Sequence, residues 1–263
     1  MRSIIKDLYQ RNRSLTIMTI AYFILAFFLF IFAIFDNTQI LGINRWIKPI
    51  KFAISIGVFL WTFIYLLDLL DYTPRRVSIF SNIFIYTMLI EIIAIVGQAA
   101  RGQQSHFNIQ SPLGNIIFSI MGLAIMTAFV VVCIITISYF KQKTAISSSL
   151  IWAIRLGLLL FIFANIGGMI MSGMLRHTIG APDGGDGLIL VNWSTIAGDL
   201  RVMHFFGMHG IQLFPLVALG MKHIRFIQKE QTQLNIIKVL AIFYSGFVII
   251  TFIQALMGIS FIH

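Results

Sequence analysis

The chain has 263 residues, 59% of them hydrophobic and only 11% charged, with a mean hydropathy of +0.93, which excludes an ordinary soluble domain and indicates an integral membrane protein. Its formal net charge of +10 would suit nucleic acid in a soluble chain. Here, however, Lys and Arg cluster between apolar runs, as topology signals do, so the lipid bilayer is the expected partner and nucleic acid is not.

Residues 1–13 are basic and lead into an apolar run, 15–35, that superficially resembles a signal peptide. The run is longer than the usual h-region of about 7 to 15 residues, and no A-x-A-like site follows it, so it is read as a retained first span. Further runs of about twenty residues, enough to cross roughly 30 Å of hydrocarbon, lie near 50–70, 77–96, 116–140, 150–175, 202–221 and 236–259. Backbone groups have no water partner in lipid and the alternation of a barrel is missing, so the spans are helices. The expected fold is all-α: a polytopic seven-helix bundle forming one transmembrane domain over residues 1–263. Cys133 lies within the fourth run as a small hydrophobe and, being the one cysteine, forms no intrachain disulfide.

With the N-terminus inside, Arg45, Lys48, Lys51, Arg101, Arg176 and Arg201 fall outside, and the other 13 of the 19 cations, Arg2 and Lys143 among them, fall inside. This bias predicts a cytoplasmic N-terminus, an external C-terminus and a multi-pass location in the cytoplasmic membrane. Three chemically rich segments then meet the outer face: residues 44–52, 98–108 and 176–209. The connection 176–199, which contains Asp-Gly-Gly-Asp-Gly, is long for a compact protein and is expected to act as a lid or binding loop. Its spacing is not that of an EF-hand.

The sixth span carries the sharpest signal. Taking Arg201 as zero, His204 falls near about −60°, His209 near about +80° and Gln212 near about +20°, one arc of roughly 140° that should face away from lipid. In the third span, if its helix continues past Val96, Glu91, Gln98, Gly102, Ser105 and His106 share an arc of about 100°, with Arg101 just outside it. Glu91 is the only acid far from a span end, and its depth predicts a neighbour in His209. Asp199 also suits the N-cap of the sixth helix. In the fifth span, Gly167, Gly168, Ser172 and Gly173 suit close helix packing beside a hydrogen-bonded Asn165. The Met residues read as core filling, and His177, His223 and His263 as background.

Three chemistries fit these residues. Neutral imidazoles in a dry cavity ligate transition metals or haem iron, so His106, His204 and His209 are the candidate metal ligands for haem b or a metal such as zinc. Arg45, Lys48, Lys51, Arg101, Arg201 and Gln212 would hold the cofactor, the cations facing haem propionates, in a redox or sensor role with a redox partner on the outer side. Alternatively, the three histidines with Asp199 hold zinc in a hydrolase, and Glu91 or Ser105 assists an activated water. The N-in, C-out topology resembles seven-helix membrane hydrolases with three His ligands, although the last span here has no histidine and no His-x-x-x-His pattern occurs. The third chemistry is a transporter or receptor in which outer cations bind a small anionic solute above a Glu–His relay, with Pro215 kinking the sixth helix. Ser105 and His106, being sequence neighbours, do not suit a Ser/His/Asp triad.

Overall fold

A computed structural model of the chain describes residues 4–141, 146–184, 187, 188 and 190–262. Arg2, Lys143 and His263, with Gly185 and Asp186 of the glycine-rich stretch, lie outside the described residues. Seven described helices are long and apolar enough to cross a membrane, so the protein is all-α and multi-pass. They are α2 (Arg13–Phe35), α3 (Ile47–Asp68), α4 (Pro74–Ala100), α5 (Pro112–Lys141), α6 (Ser148–Met174), α7 (Leu200–Met221) and α8 (Glu230–Leu256). Each contains most of one predicted apolar run and extends it at polar ends that the hydropathy signal does not register. A short helix, α1 (Ile4–Arg11), precedes them and was not predicted. It is too brief to show a membrane signal, buries only Leu8, and is closed by an Asp7–Arg11 pair one turn apart.

The chain divides into two compact units, Met1–Val131 and Val132–His263. In the first, Asn12 ends α1 and caps α2: its Oδ1 accepts from Leu15 N, and its Nδ2 donates to Ser81 Oγ of α4 at 2.8 Å. Helix α2 packs on α3 and α3 on α4, around a buried cluster of Phe63 and Phe84 with Phe59 against both. The α2–α3 connection is a tight hairpin of β1 (Gln39–Ile40) and β2 (Ile43–Asn44). Leu41 and Gly42 turn it with φ of 52° and 79°, the primed geometry that suits strand twist. Helix α3 then begins at Ile47 with Pro49 in its first turn, where a missing N–H costs nothing.

In the second unit α6 and α7 pack so closely that added Cβ atoms would clash. At Gly157 one would stand 2.8 Å from the Gly210 carbonyl oxygen, and at Gly207 one would stand 2.7 Å from Ala164 Cβ. Gly167 and Gly168 do the same against Met203 and His204, as expected for small residues at a helix crossing, whereas Gly173 faces open space. Asn165 hydrogen-bonds back to the Phe161 carbonyl. Among the described residues of the 176–199 connection, β3 (Thr178–Ile179) pairs antiparallel with β4 (Gly198–Asp199), and Trp193 stacks on Phe205, Phe206 and Phe261.

Candidate functional site

In the first unit the polar residues gather around the start of α3 and the loop after α4. Helix α4 ends in a Schellman cap, in which Gly102 N bonds to Ala99 O and Gln103 N to Gln98 O, with Gly102 at a φ of +67°. This corrects the expectation that one helical arc runs on through Ser105 and His106: the chain turns back at Gly102, so both residues reach their places from a loop. His106 Nδ1 comes to rest 3.2 Å from Lys48 Nζ and 3.1 Å from Ser105 Oγ. Around the imidazole stand Phe52, Phe107 and Phe118, with ring centroids 5.6, 6.1 and 6.2 Å away. A Lys ammonium only donates, so Nδ1 accepts and the ring proton sits on Nε2. Burial pushes the His106 pKa well below its ordinary value, and the Lys48 charge adds to the effect, so the ring is neutral.

Glu91 lies on α4, 5% exposed, and among the described residues its Oε1 has no hydrogen-bond partner. Its charge interacts with Lys48 and with the phenol of Tyr22 on α2. Tyr22 is 2% exposed and its hydroxyl likewise has no partner among those residues. The sequence reading missed Tyr22, which looks ordinary in a span rich in aromatics. The polar spacing Thr16, Thr19, Tyr22, all on the buried face of α2, is the signal that would have found it.

Other predicted members of this site are engaged differently. Arg45 is ion-paired with Asp36, also donates to the Ala100 carbonyl, and so is committed to tying the hairpin to the end of α4. Asp36 also accepts from Thr38 N at 3.0 Å and Trp46 Nε1 at 2.8 Å; these bonds, the Thr38 ones above all, hold its carboxyl far below the usual range. Arg101 donates to Gln98 Oε1 at 3.1 Å from an exposed position. Lys51 is half-buried on α3 three residues beyond Lys48.

The second unit holds the other candidates. Asp199 caps α7 by accepting from Arg201 N at 3.0 Å and pairs with the Arg201 guanidinium at 2.6 Å, its own side chain having no exposure. Burial pushes its pKa up, but the hydrogen bond and charge of Arg201, the Ser194 N–H and His177 outweigh this and leave it below the ordinary value. His177, read from sequence as background, belongs to this loop clasp. Its Nδ1 lies 3.3 Å from Asp183 and 3.9 Å from Asp199, while Asp183 accepts the backbone N–H groups of His177 and Thr178. On α7, His204 Nδ1 lies 2.7 Å from the Ala164 carbonyl oxygen of α6. His209 stacks edge-on against Phe205 at 4.5 Å and hydrogen-bonds Gln212 one turn on. Among the described residues, no three His, Cys, Asp or Glu side chains are grouped to hold a metal ion.

Compared with protein-family models, curated proteins and solved structures, the chain matches none, so its function is argued from its own residues.

Proposed function

We propose that the first unit is a membrane transporter or receptor module that binds a small organic anion at Lys48 and His106 in a proton-linked manner. The observation that carries this reading is the buried Glu91 Oε1, one hydrogen bond short and within the field of Lys48. An ionisable group inside a span costs several kcal/mol, roughly 2.5 or more, and such groups mark ligand and proton pathways. Lys48 supplies a point charge for a carboxylate or sulfonate, and the Phe52, Phe107 and Phe118 rings supply an apolar wall for the rest of the solute. Arg45, whose guanidinium could offer a bidentate fork, is occupied by the Asp36 carboxylate, which favours a monoanion. The cation bias favours a cytoplasmic N-terminus in a cytoplasmic-membrane protein, with this site on the outer side.

Benzenesulfonate is a suitable probe, since it is permanently ionised and does not cross lipid unaided. Calorimetry on the detergent-purified chain should detect its binding, weakened by roughly 10-fold or more in Lys48→Gln, as expected for a lost charged hydrogen bond. Equal affinity in the two proteins would sink the assignment.

A second reading has its own support. The His204 Nδ1 contact with the Ala164 carbonyl is the arrangement that fixes a metal-bound imidazole with Nε2 as the ligand atom. Haem iron requires only one or two protein ligands, so it does not depend on a three-residue cluster as zinc hydrolysis does. A Soret band in the purified protein that disappears in His204→Ala would support haem b there.

A further inference from the structure

Three buried side-chain oxygens of the first unit have no hydrogen-bond partner among the described residues: Thr19 Oγ1, Tyr22 OH and Glu91 Oε1. Their residues are 3%, 2% and 5% exposed, so none meets bulk water. They also lie at neighbouring levels along their helices. The Asn12–Ser81 hydrogen bond joins the start of α2 to the second turn of α4. Tyr22 and Glu91 lie equally far along their helices from that bond, each rising about 15 Å at 1.5 Å per residue. That shared level agrees with the electrostatic interaction between them. Thr19 lies one turn nearer the bond on the same buried face of α2. Still nearer that end lies a partly open cavity of about 560 Å³ between α2, α3 and α4, whose polar lining includes Asn12, Ser78 and Ser81 with Arg11 and Asp68. Beyond Glu91, the field of Lys48 leads to His106.

We propose that this column conducts protons through the first unit, from the cavity at Asn12 and Ser81, past Thr19 and Tyr22, to Glu91 and out beside Lys48. The proposal rests on the reading of Lys48 and His106 as a solute site. Hydroxyl groups both donate and accept, so they can relay a proton, whereas a carboxylate can store one. In each cycle the Tyr22 hydroxyl passes its proton to Glu91 Oε1 and regains one from water on the cavity side. Glu91, now the neutral acid, releases the proton to water beside Lys48, so one proton enters, one leaves and no covalent bond changes. Three uncompensated oxygens at neighbouring levels are costly to a fold in hydrocarbon, and water passing transiently along them would connect all three without being held there.

The experiment uses the full chain in liposomes enclosing a pH-sensitive dye, with a potassium diffusion potential to drive protons and benzenesulfonate on both sides. Wild type should carry protons well above protein-free liposomes. Tyr22→Phe and Glu91→Gln should each lower the flux on the order of 100-fold, the contribution of a positioned proton-transfer group. Tyr22→Phe should bind benzenesulfonate with unchanged affinity, showing that it is folded. If wild type binds the probe yet conducts no protons, or if both variants bind it and conduct like wild type, the path is overturned while the solute site stands. If wild type does not bind the probe, the solute reading fails, and the path that rests on it falls too.

Discussion

The two units treat their polar groups in opposite ways. In the second, several charged and imidazole groups end on named partners: Asp199 on Arg201, Asp183 on two backbone N–H groups, His204 on the Ala164 carbonyl. Its α6–α7 crossing is closed by glycines with no room for a side chain. In the first, a buried carboxyl and two buried hydroxyls sit in membrane-length helices one hydrogen bond short. The first unit thus bears a desolvation cost that these groups of the second unit do not. The contrast is what favours the first unit in the proposed function, because an ionisable group inside a span is by default a candidate functional site.

The largest effect should come from Gly157. A Leu there would press its Cβ to within 2.8 Å of the Gly210 oxygen and 2.9 Å of Ile211 Cα, both backbone atoms that cannot step aside. We expect Gly157→Leu to cost about 3 kcal/mol or more, or to prevent folding, as overpacking of a tight contact does. Gly97→Ala, with nothing within 4 Å of the added atom, should leave melting temperature unchanged or slightly raised. Similar losses for the two variants would erase the packing contrast.

Next in size is the loop clasp. Removing one partner of an ion pair whose carboxylate is fully enclosed costs about 3 kcal/mol, so Asp199→Ala should destabilise strongly. Its pH dependence has a definite sign. A carboxyl held below its ordinary value stabilises the fold fully above the unfolded value of about 3.9, and that stability is lost as pH falls through the lower folded value. Trp193, buried against three phenylalanines, reports the loop, and its fluorescence should hold at pH 5 and change only in stronger acid. A transition near pH 6 would mean that another group controls the clasp.

How much of this could be read from the chain follows from physical scale. The seven spans were legible because about twenty apolar residues are needed to cross lipid. Helix α1 was not, because eight residues stabilised by one ion pair and the burial of Leu8 leave no periodic signal. Glu91 stood out as a lone acid in an apolar run, and Asp199 as a cap. Lys48 and His106 were singled out separately, but their pairing depends on the Gly102 turn, which a helical wheel carried past Val96 cannot foresee. Arg45 reads as available in the sequence because its partner, Asp36, lies nine residues away and meets it only through the hairpin turn. Thr19 and Tyr22 were unreadable as a site because the sequence shows residue type and spacing, whereas the unmet hydrogen bonds arise only in the packed structure.

A smaller effect should follow acidification at His106. Its folded pKa lies well below the unfolded value of about 6.5, so between the two the unfolded chain holds the extra proton and stability falls as pH is lowered. Lys48→Gln removes one of the two causes and should raise the folded pKa, narrowing that window, while burial still holds the ring below normal. Histidine-selective NMR titration of the two proteins measures this directly, and an unmoved titration would separate Lys48 from the imidazole.

The last effect is small and has the opposite sign. A buried polar atom without a partner contributes only its desolvation cost, so deleting it should be neutral or stabilising, unlike every loss in the second unit. Tyr22→Phe keeps the ring in its packed place and removes just the unpartnered hydroxyl. It should therefore raise thermal stability slightly, by about 0.5–1 kcal/mol, and Glu91→Gln, which removes a buried charge, should change it in the same direction. A loss of more than about 1 kcal/mol in both would mean that these oxygens are firmly bonded in the native protein, for instance to tightly held structural water. The column would then be scaffold, and the contrast between the two units would lie in glycine packing alone.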